Sequence, residues 1–404
     1  MKLFEESKLG TLTLKNRIIR SATFEGMCDA QGFPTEAYKE LYTELSRNEI
    51  GAIITGFAYI APDGRAMQPG QAGIDSREKV KFFKEITDQV HNNDCKIIMQ
   101  IAHTGRQTLS SSTGYSVKGV SNKKSPYFNQ TPKVLTTEEI KALAEKFGES
   151  SLYAKDSGFD GVQIHAAHGY LIHQFILPSI NDRDDIFKID YELKIGIGFL
   201  DLVIDKIREN CGWDFPILIK VSGSDDYKEQ FSTKQFINLI KFLDTKKVTG
   251  IEISYGTMDH ALNIFRCSKI PIDIILKFNQ KYKIKNKTLR AVWKYFFYGF
   301  ASRKVIKYSP AYNLKYSILA KAYTDIPIIS VGGFRTGTEI NNALNEVDFI
   351  SLSRPFIVEP DYIKKIKADI NYKSKCINCS KCAIMSDTNE SLRCYSNFNN
   401  SELL

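Results

Sequence analysis

The sequence predicts an α/β protein, a (β/α)8 TIM barrel with a short Cys-rich extension at its C-terminus. Three observations carry this reading. Eight apolar runs of strand length recur within residues 1–370, several of them apolar on both faces as buried parallel strands are. Helical patterns fill the gaps and make strand–helix units. Polar residues gather at the C-terminal ends of the runs, where a barrel places its chemistry. An open doubly wound sheet is the alternative, disfavoured because no Gly-x-Gly-x-x-Gly follows the first run.

The runs are Ile18–Thr23, Ala52–Tyr59, Lys96–Ala102, Gly161–His165, Ile217–Val221, Gly250–Ser254, Ile326–Val331 and Phe349–Ser353. Helices are expected between them, for example over Thr136–Lys155 and Thr233–Thr245. Thr136-Thr137-Glu138-Glu139 offers N-cap chemistry at the start of the first of these. A hydrophobic content of 43% over 404 residues is ample for one large core plus an appendage. No uncharged apolar stretch reaches the ~18 residues of a membrane span. The start, Met1-Lys2-Leu3-Phe4-Glu5-Glu6, carries acids early and no hydrophobic leader, so a cytoplasmic location is expected.

The net charge of +9 is local. Between Arg266 and Lys307, Lys304 included, stand twelve Lys or Arg and one acid, Asp273, a net of +11 that leaves −2 elsewhere. This lies in an insertion at about 262–310, interleaved with aromatic residues such as Phe278, Trp293 and Tyr295. The plainest reading is an enlarged cap over the barrel mouth with its lysines in solvent. An acidic redox partner or acidic substrate is the next reading. Nucleic-acid and membrane binding are the remaining readings, and basic and aromatic interleaving alone is weak support for either, so no nucleic-acid partner is expected.

The candidate site residues sit at the run ends: Thr23, Gln100 and His103, His165 and His168, Lys220, Gly332-Gly333, and Ser353-Arg354. His165 and His168, three residues apart, can enter one space if a helical turn begins there, and the Tyr170 phenol can reach it from the side. Alone, such a pair suits a core, a metal or a carbonyl clamp. Paired glycines at Gly332 and Gly333 permit close backbone approach, and a following helix N-terminus favours an anion. Arg354 adds a guanidinium suited to phosphate. Gly56 is read as a cofactor contact, with a simple turn as the alternative. Of eight cysteines, Cys28, Cys95, Cys211 and Cys267 are scattered, whereas Cys376, Cys379, Cys382 and Cys394 cluster at a spacing that suits a [4Fe–4S] cluster or a structural zinc, with four unliganded thiols as the plain alternative.

Taken in order, these motifs resemble the old yellow enzyme family of FMN-dependent ene-reductases over residues 1–370. They are Leu14-Lys15-Asn16-Arg17 leading into Ser21-Ala22-Thr23, then Gln100-Ile101-Ala102-His103-Thr104-Gly105-Arg106. His165-x-x-His168-Gly169-Tyr170-Leu171 follows, then Asn181-x-Arg183-x-Asp185, Val331-Gly332-Gly333 and Ser353-Arg354-Pro355. The resemblance implies FMN in the barrel mouth and NAD(P)H as reductant. It implies Thr23 at flavin O4, Gln100 on the pyrimidine edge, Lys220 near N1/O2, and Gly333, Ser353 and Arg354 on the phosphate. It further implies hydride transfer from N5 to the C=C bond of an enone- or enoate-type substrate, with His165 and His168 on the carbonyl oxygen and Tyr170 as proton donor.

The chain departs from that family in places. After Asp185 the usual glycine turn and Asn-Arg pair are replaced by Ile186–Lys194, which puts the local loop and an oligomer contact in doubt; a homo-oligomer is still expected. The cysteine cluster is similar to that of dienoyl-CoA and enoate reductases and trimethylamine dehydrogenase, with Asn378 where a glycine usually stands, and this favours iron–sulfur over zinc. Those relatives continue into a nucleotide-binding domain, and none is expected in a chain ending at Leu404. An amine dehydrogenase-like or electron-transfer flavoprotein is the rival function. The His165/His168 pair argues against the amine enzyme. His260, after the sixth run, could enter the mouth but receives no role.

Overall fold

The computed structural model describes residues 1–303 and 305–397. Lys304 of the basic insertion and residues 398–404 of the tail lie outside the described residues. Eight parallel strands form the barrel: β1 (Ile18–Arg20), β2 (Ala52–Ile54), β3 (Lys96–Ala102), β4 (Gly161–Ala166), β5 (Ile217–Ser222), β6 (Gly250–Ser254), β7 (Ile328–Val331) and β8 (Phe349–Leu352). Each pairs with its sequence neighbours, and β8 returns to β1, so the ring closes without an edge.

Every residue of β4, β5 and β6 is buried, because helices cover the outside and side chains fill the inside. The helices come where the pattern places them. Thr136 caps the Thr137–Asp156 helix in a reciprocal capping box with Glu139, and Ser232 does the same with Gln235 for the Thr233–Thr245 helix. The Thr137–Asp156 helix packs most heavily on the Gly198–Cys211 helix.

Two features were not anticipated. An antiparallel hairpin, Ser7–Leu9 with Leu12–Leu14, plugs the N-terminal end of the barrel. Its Leu9, Leu12 and Leu14 pack on Ile19, Ile54, Ile98, Leu218, Ile329 and Phe349 inside the ring. The expected run Ala52–Tyr59 is broken into β2 and a two-residue strand, Ala58–Tyr59. At the break the Gly56 N–H donates to Glu25 Oε1 at 2.6 Å, a partner distant in sequence.

Alternation along the strands sends one set of side chains outward and the other into the barrel. The inward set is apolar near the hairpin and polar toward the opposite end. In register, Gln100 stands beside Gln163, His165 beside Lys220, and Lys220 beside Glu252. The polar layer therefore lies directly below the mouth.

Candidate active site

A cavity opens at the C-terminal ends of the strands. Thr23, Gln100, His165, His168, Tyr170, Lys220, Ser353 and Arg354 all line it, so the structure brings together most of the positions expected from the sequence. Gly56, Gly332 and Gly333 stand outside that lining. Gly56 is spent on Glu25, as above. Gly332 and Gly333 have φ of 122° and 91°, conformations that favour glycine. A Cβ there would meet the Tyr312 ring at 2.5 Å and the Ala311 nitrogen at 2.6 Å, so it is the chain's own 308–313 segment that approaches these glycines.

The two imidazoles do meet, but not through a helical turn. His165 is next to last in β4, and the chain then reverses through left-handed residues, His168 at φ 60° and Gly169 at 78°, before the Leu171–Ile176 helix begins. The His165 and His168 rings stand edge to face with centroids 4.9 Å apart. The Tyr170 ring is 4.8 Å from His165 at 88°. Phe57 closes the other side of Tyr170 at 5.2 Å. This turn needs a left-handed conformation at His168, a residue type that tolerates it, and glycine at 169.

Burial, followed by Lys220, holds His165 well below the ordinary imidazole range. His168 is lowered in the same way, by burial first and then by His165. Both rings are therefore neutral near pH 7, each with one N–H to donate. His168 Nε2 lies 2.8 Å from Ser254 Oγ, and His165 Nδ1 is buried without a hydrogen-bond partner. Burial, then the Asp387 charge, raises the Tyr170 phenol, which keeps its proton well into alkaline pH.

Beneath the cavity lies a buried polar network that the sequence reading missed. The Glu252 carboxylate accepts from Ser21 Oγ at 2.6 Å, Ser351 Oγ at 2.6 Å and Gln163 Nε2 at 2.9 Å. Lys220 Nζ is 3.2 Å from Glu252 and donates to Ser21 Oγ at 2.9 Å. Gln100 joins through Gln163 Oε1 at 2.7 Å, and Thr23 donates to Ser353 Oγ at 2.8 Å. Burial pushes the Glu252 carboxyl up, but Lys220 and the three donors outweigh it and hold it below its usual value. A cue was present: an acid inside the strand Gly250-Ile251-Glu252-Ile253-Ser254 has no place in a buried run unless it is paired. No periodicity pointed to Asp387, which accepts from Gln68 at 2.8 Å and Asn279 at 2.6 Å and is raised to about 6 by burial.

Other expected positions serve structure. His103 Nδ1 accepts from the Gly105 N–H, and its Nε2 lies 3.6 Å from Asp63. Arg183 clasps Asp185 and the Leu135 carbonyl, fixing the loop after β4. His260 lies against Tyr227, ring centroids 5.9 Å apart, and does not line the cavity.

The tail folds onto the ends of β7 and β8. Cys376, Cys379, Cys382 and Cys394 line one small cavity with Ile357, Val358 and Tyr395. Arg354 and Cys382 line both this cavity and the larger one, so the two share a wall. Asn378 has φ 56°, which accounts for asparagine at a position where glycine would also fit, and its side chain accepts from Arg335. Among the described residues, no group of three or more His, Cys, Asp or Glu side chains is set to hold a single metal ion.

Residues 2–299 match the NADH:flavin oxidoreductase / NADH oxidase family. An NADPH dehydrogenase of Bacillus subtilis is 31% identical over 270 residues, 65% of this chain and 76% of that one. An NADH oxidase of Thermoanaerobacter brockii is 27% identical over 94% of this chain, which spans about half (52%) of that relative's length. In fold, the chain matches the old yellow enzyme homologue from Zymomonas mobilis with a TM-score of 0.72 at 23% identity, covering 94% of this chain and 96% of that one. With the closed barrel and these matches together, the chain belongs to the NADH:flavin oxidoreductase / NADH oxidase family, that of the old yellow enzyme, whose members depend on FMN.

Proposed function

We propose that this protein reduces the C=C bond of α,β-unsaturated carbonyl compounds with electrons from NAD(P)H. The observation that supports this most is the convergence of His165, His168 and Tyr170 on one cavity with Thr23, Gln100, Lys220, Ser353 and Arg354. The donor set fits FMN: a buried ammonium at Lys220, an amide at Gln100, hydroxyls at Thr23 and Ser353, and a guanidinium at Arg354 for phosphate, with Gly56, Gly332 and Gly333 shaping the adjoining turns. FMN, when bound, supplies the hydride that the β-carbon of the alkene receives.

His165 and His168 bind the carbonyl oxygen and stabilise the negative charge that grows there. Each preorganised donor contributes on the order of 3 kcal/mol to such a transition state. Their neutrality matters, because a neutral imidazole donates a hydrogen bond without giving up a proton. Tyr170 delivers the proton to Cα, a step typically worth about 10²–10⁴-fold. Phe57 and Phe24 give the cavity an apolar wall that limits water.

The second reading, an electron-transfer flavoprotein, rests on the wall shared by the two cavities. Four thiols line one small space there, and their spacing in the chain suits a [4Fe–4S] cluster or a structural zinc. In this reading Cys376, Cys379, Cys382 and Cys394 would hold a [4Fe–4S] cluster, which would supply one-electron chemistry beside the wall formed by Cys382 and Arg354. An acidic redox partner at the 262–310 insertion would belong to it.

Anaerobic mixing of the reduced holoprotein with enones, nitroalkenes, enoates and quinones tests the proposal. Rapid reoxidation by enones with formation of the saturated product supports it. Reoxidation by quinones alone, with no alkene reduced, favours the electron-transfer reading.

A further inference from the structure

The insertion between β6 and β7 contains a helix that the site does not use, Lys287–Ser302. It leans mainly on the Ile272–Phe278 helix. Trp293 and Tyr298, on its inner arc, pack against a satellite cluster that includes Ile274, Ile275 and Met385. That contact uses up one apolar face.

The outer arc is apolar too, and it faces solvent. Leu289 is 57% exposed, Val292 47%, Tyr295 83% and Phe296 68%. Leu289, Val292 and Phe296 follow the i, i+3, i+7 spacing of a single helical face. Single exposed apolar residues are ordinary, but several on one arc mark a surface that something covers. The helix stands out from the surface: one arc leans on the Ile272–Phe278 helix, and its first residues, 287–289, are exposed without interruption.

Charge narrows what can cover it. Residues 266–307 carry +11, with exposed Lys283, Lys285 and Lys287 entering the helix and Asp273 as the one acid, already paired with Lys294. A second copy would bring a like-charged surface against this one. A nucleic acid would be read by cations pointing outward, not by leucine and valine. An acidic protein would need a matching groove for a convex apolar ridge. A lipid surface has no such requirement: it takes aliphatic and aromatic side chains into its interface and holds flanking lysines at its headgroups.

We propose that the Lys287–Ser302 helix docks this protein on the surface of an anionic lipid bilayer, with Leu289, Val292, Tyr295 and Phe296 entering the interface. The contact is peripheral, since among the described residues no helix is long and apolar enough to cross a membrane. It is independent of the proposed chemistry. It places the mouth near the lipid, because Ile264 and Phe265 of the same insertion line the cavity.

Co-sedimentation of the holoprotein with phosphatidylcholine vesicles, with and without phosphatidylglycerol, tests this. The protein should pellet with the anionic vesicles at low salt and be released by added salt. Each lysine-to-alanine change at Lys283, Lys285 or Lys287 should lower partitioning roughly 5-fold. The Leu289→Ser/Phe296→Ser double variant should lower it at least about 10-fold while retaining bound flavin. No pelleting of the unaltered protein, or pelleting unchanged in the double variant, overturns the proposal. Self-association that disappears in the double variant, without lipid binding, assigns the arc to a second copy and overturns it equally.

Discussion

Replacing Glu252 by glutamine removes the one negative charge in the buried layer and keeps the shape. Lys220 Nζ, 3.2 Å away and 3% exposed, would then be a buried cation with no counter-charge, facing only a neutral amide and the Ser21 hydroxyl. Leaving one member of a buried pair alone costs about 3–5 kcal/mol. An unfolding entropy of roughly 2.1 cal/mol/K per residue, over 404 residues, makes this a fall in Tm of about 4–6 °C. Glu252→Gln, Lys220→Met and the double variant should be compared by calorimetry without flavin. The cost of each single change includes stranding its partner, so the double variant should lose less than their sum by at least ~1 kcal/mol. Strict additivity, or a Glu252→Gln shift below about 1 °C, would show that the pair is not coupled and refute the reasoning.

Three further outcomes are expected. Asp387, ordinarily near 3.8 and here raised to about 6, favours the folded state most when protonated. Its contribution is full below the unfolded value and lost as pH rises through about 6, by up to roughly 3 kcal/mol. Asp387→Asn escapes that loss, so its stability relative to the parent should climb from pH 4 to 6 and then level; a flat difference would sink the idea. Arg354→Ala should weaken FMN binding by roughly 10- to 100-fold, read by fluorescence of released flavin. Anaerobically purified protein should contain stoichiometric iron and Cys379→Ser should lose it, whereas zinc in its place would favour the structural-metal reading.

The barrel was legible because eight apolar runs of strand length alternate with helical patterns and carry polar residues at their C-terminal ends. Ile251 and Ile253 pack outward while Glu252 and Ser254 face in, and the run still reads as one strand. The break after β2 was not legible, because it depends on a carboxylate supplied by Glu25, far away in sequence. The His165/His168 pair was found, but its geometry was not: a left-handed turn brings the rings together, and only the backbone shows that. The tail's position against Arg354 was hidden for another reason. Residues 371–397 carry little periodic pattern, and their placement rests on Arg335 with Asn378 and on Ile384, Met385 and Tyr395 packing into the satellite cluster of the insertion, a partner far away in sequence.

In the proposed reaction Tyr170 protonates an alkene that His165 and His168 hold by its carbonyl. Stopped-flow measurement of both half-reactions of Tyr170→Phe tests it most directly. Flavin reduction by NAD(P)H should stay within about 2-fold of the parent, while oxidation by an enone falls about 10²–10⁴-fold. An equal fall in both half-reactions, or an unchanged rate with the enone, would contradict the account.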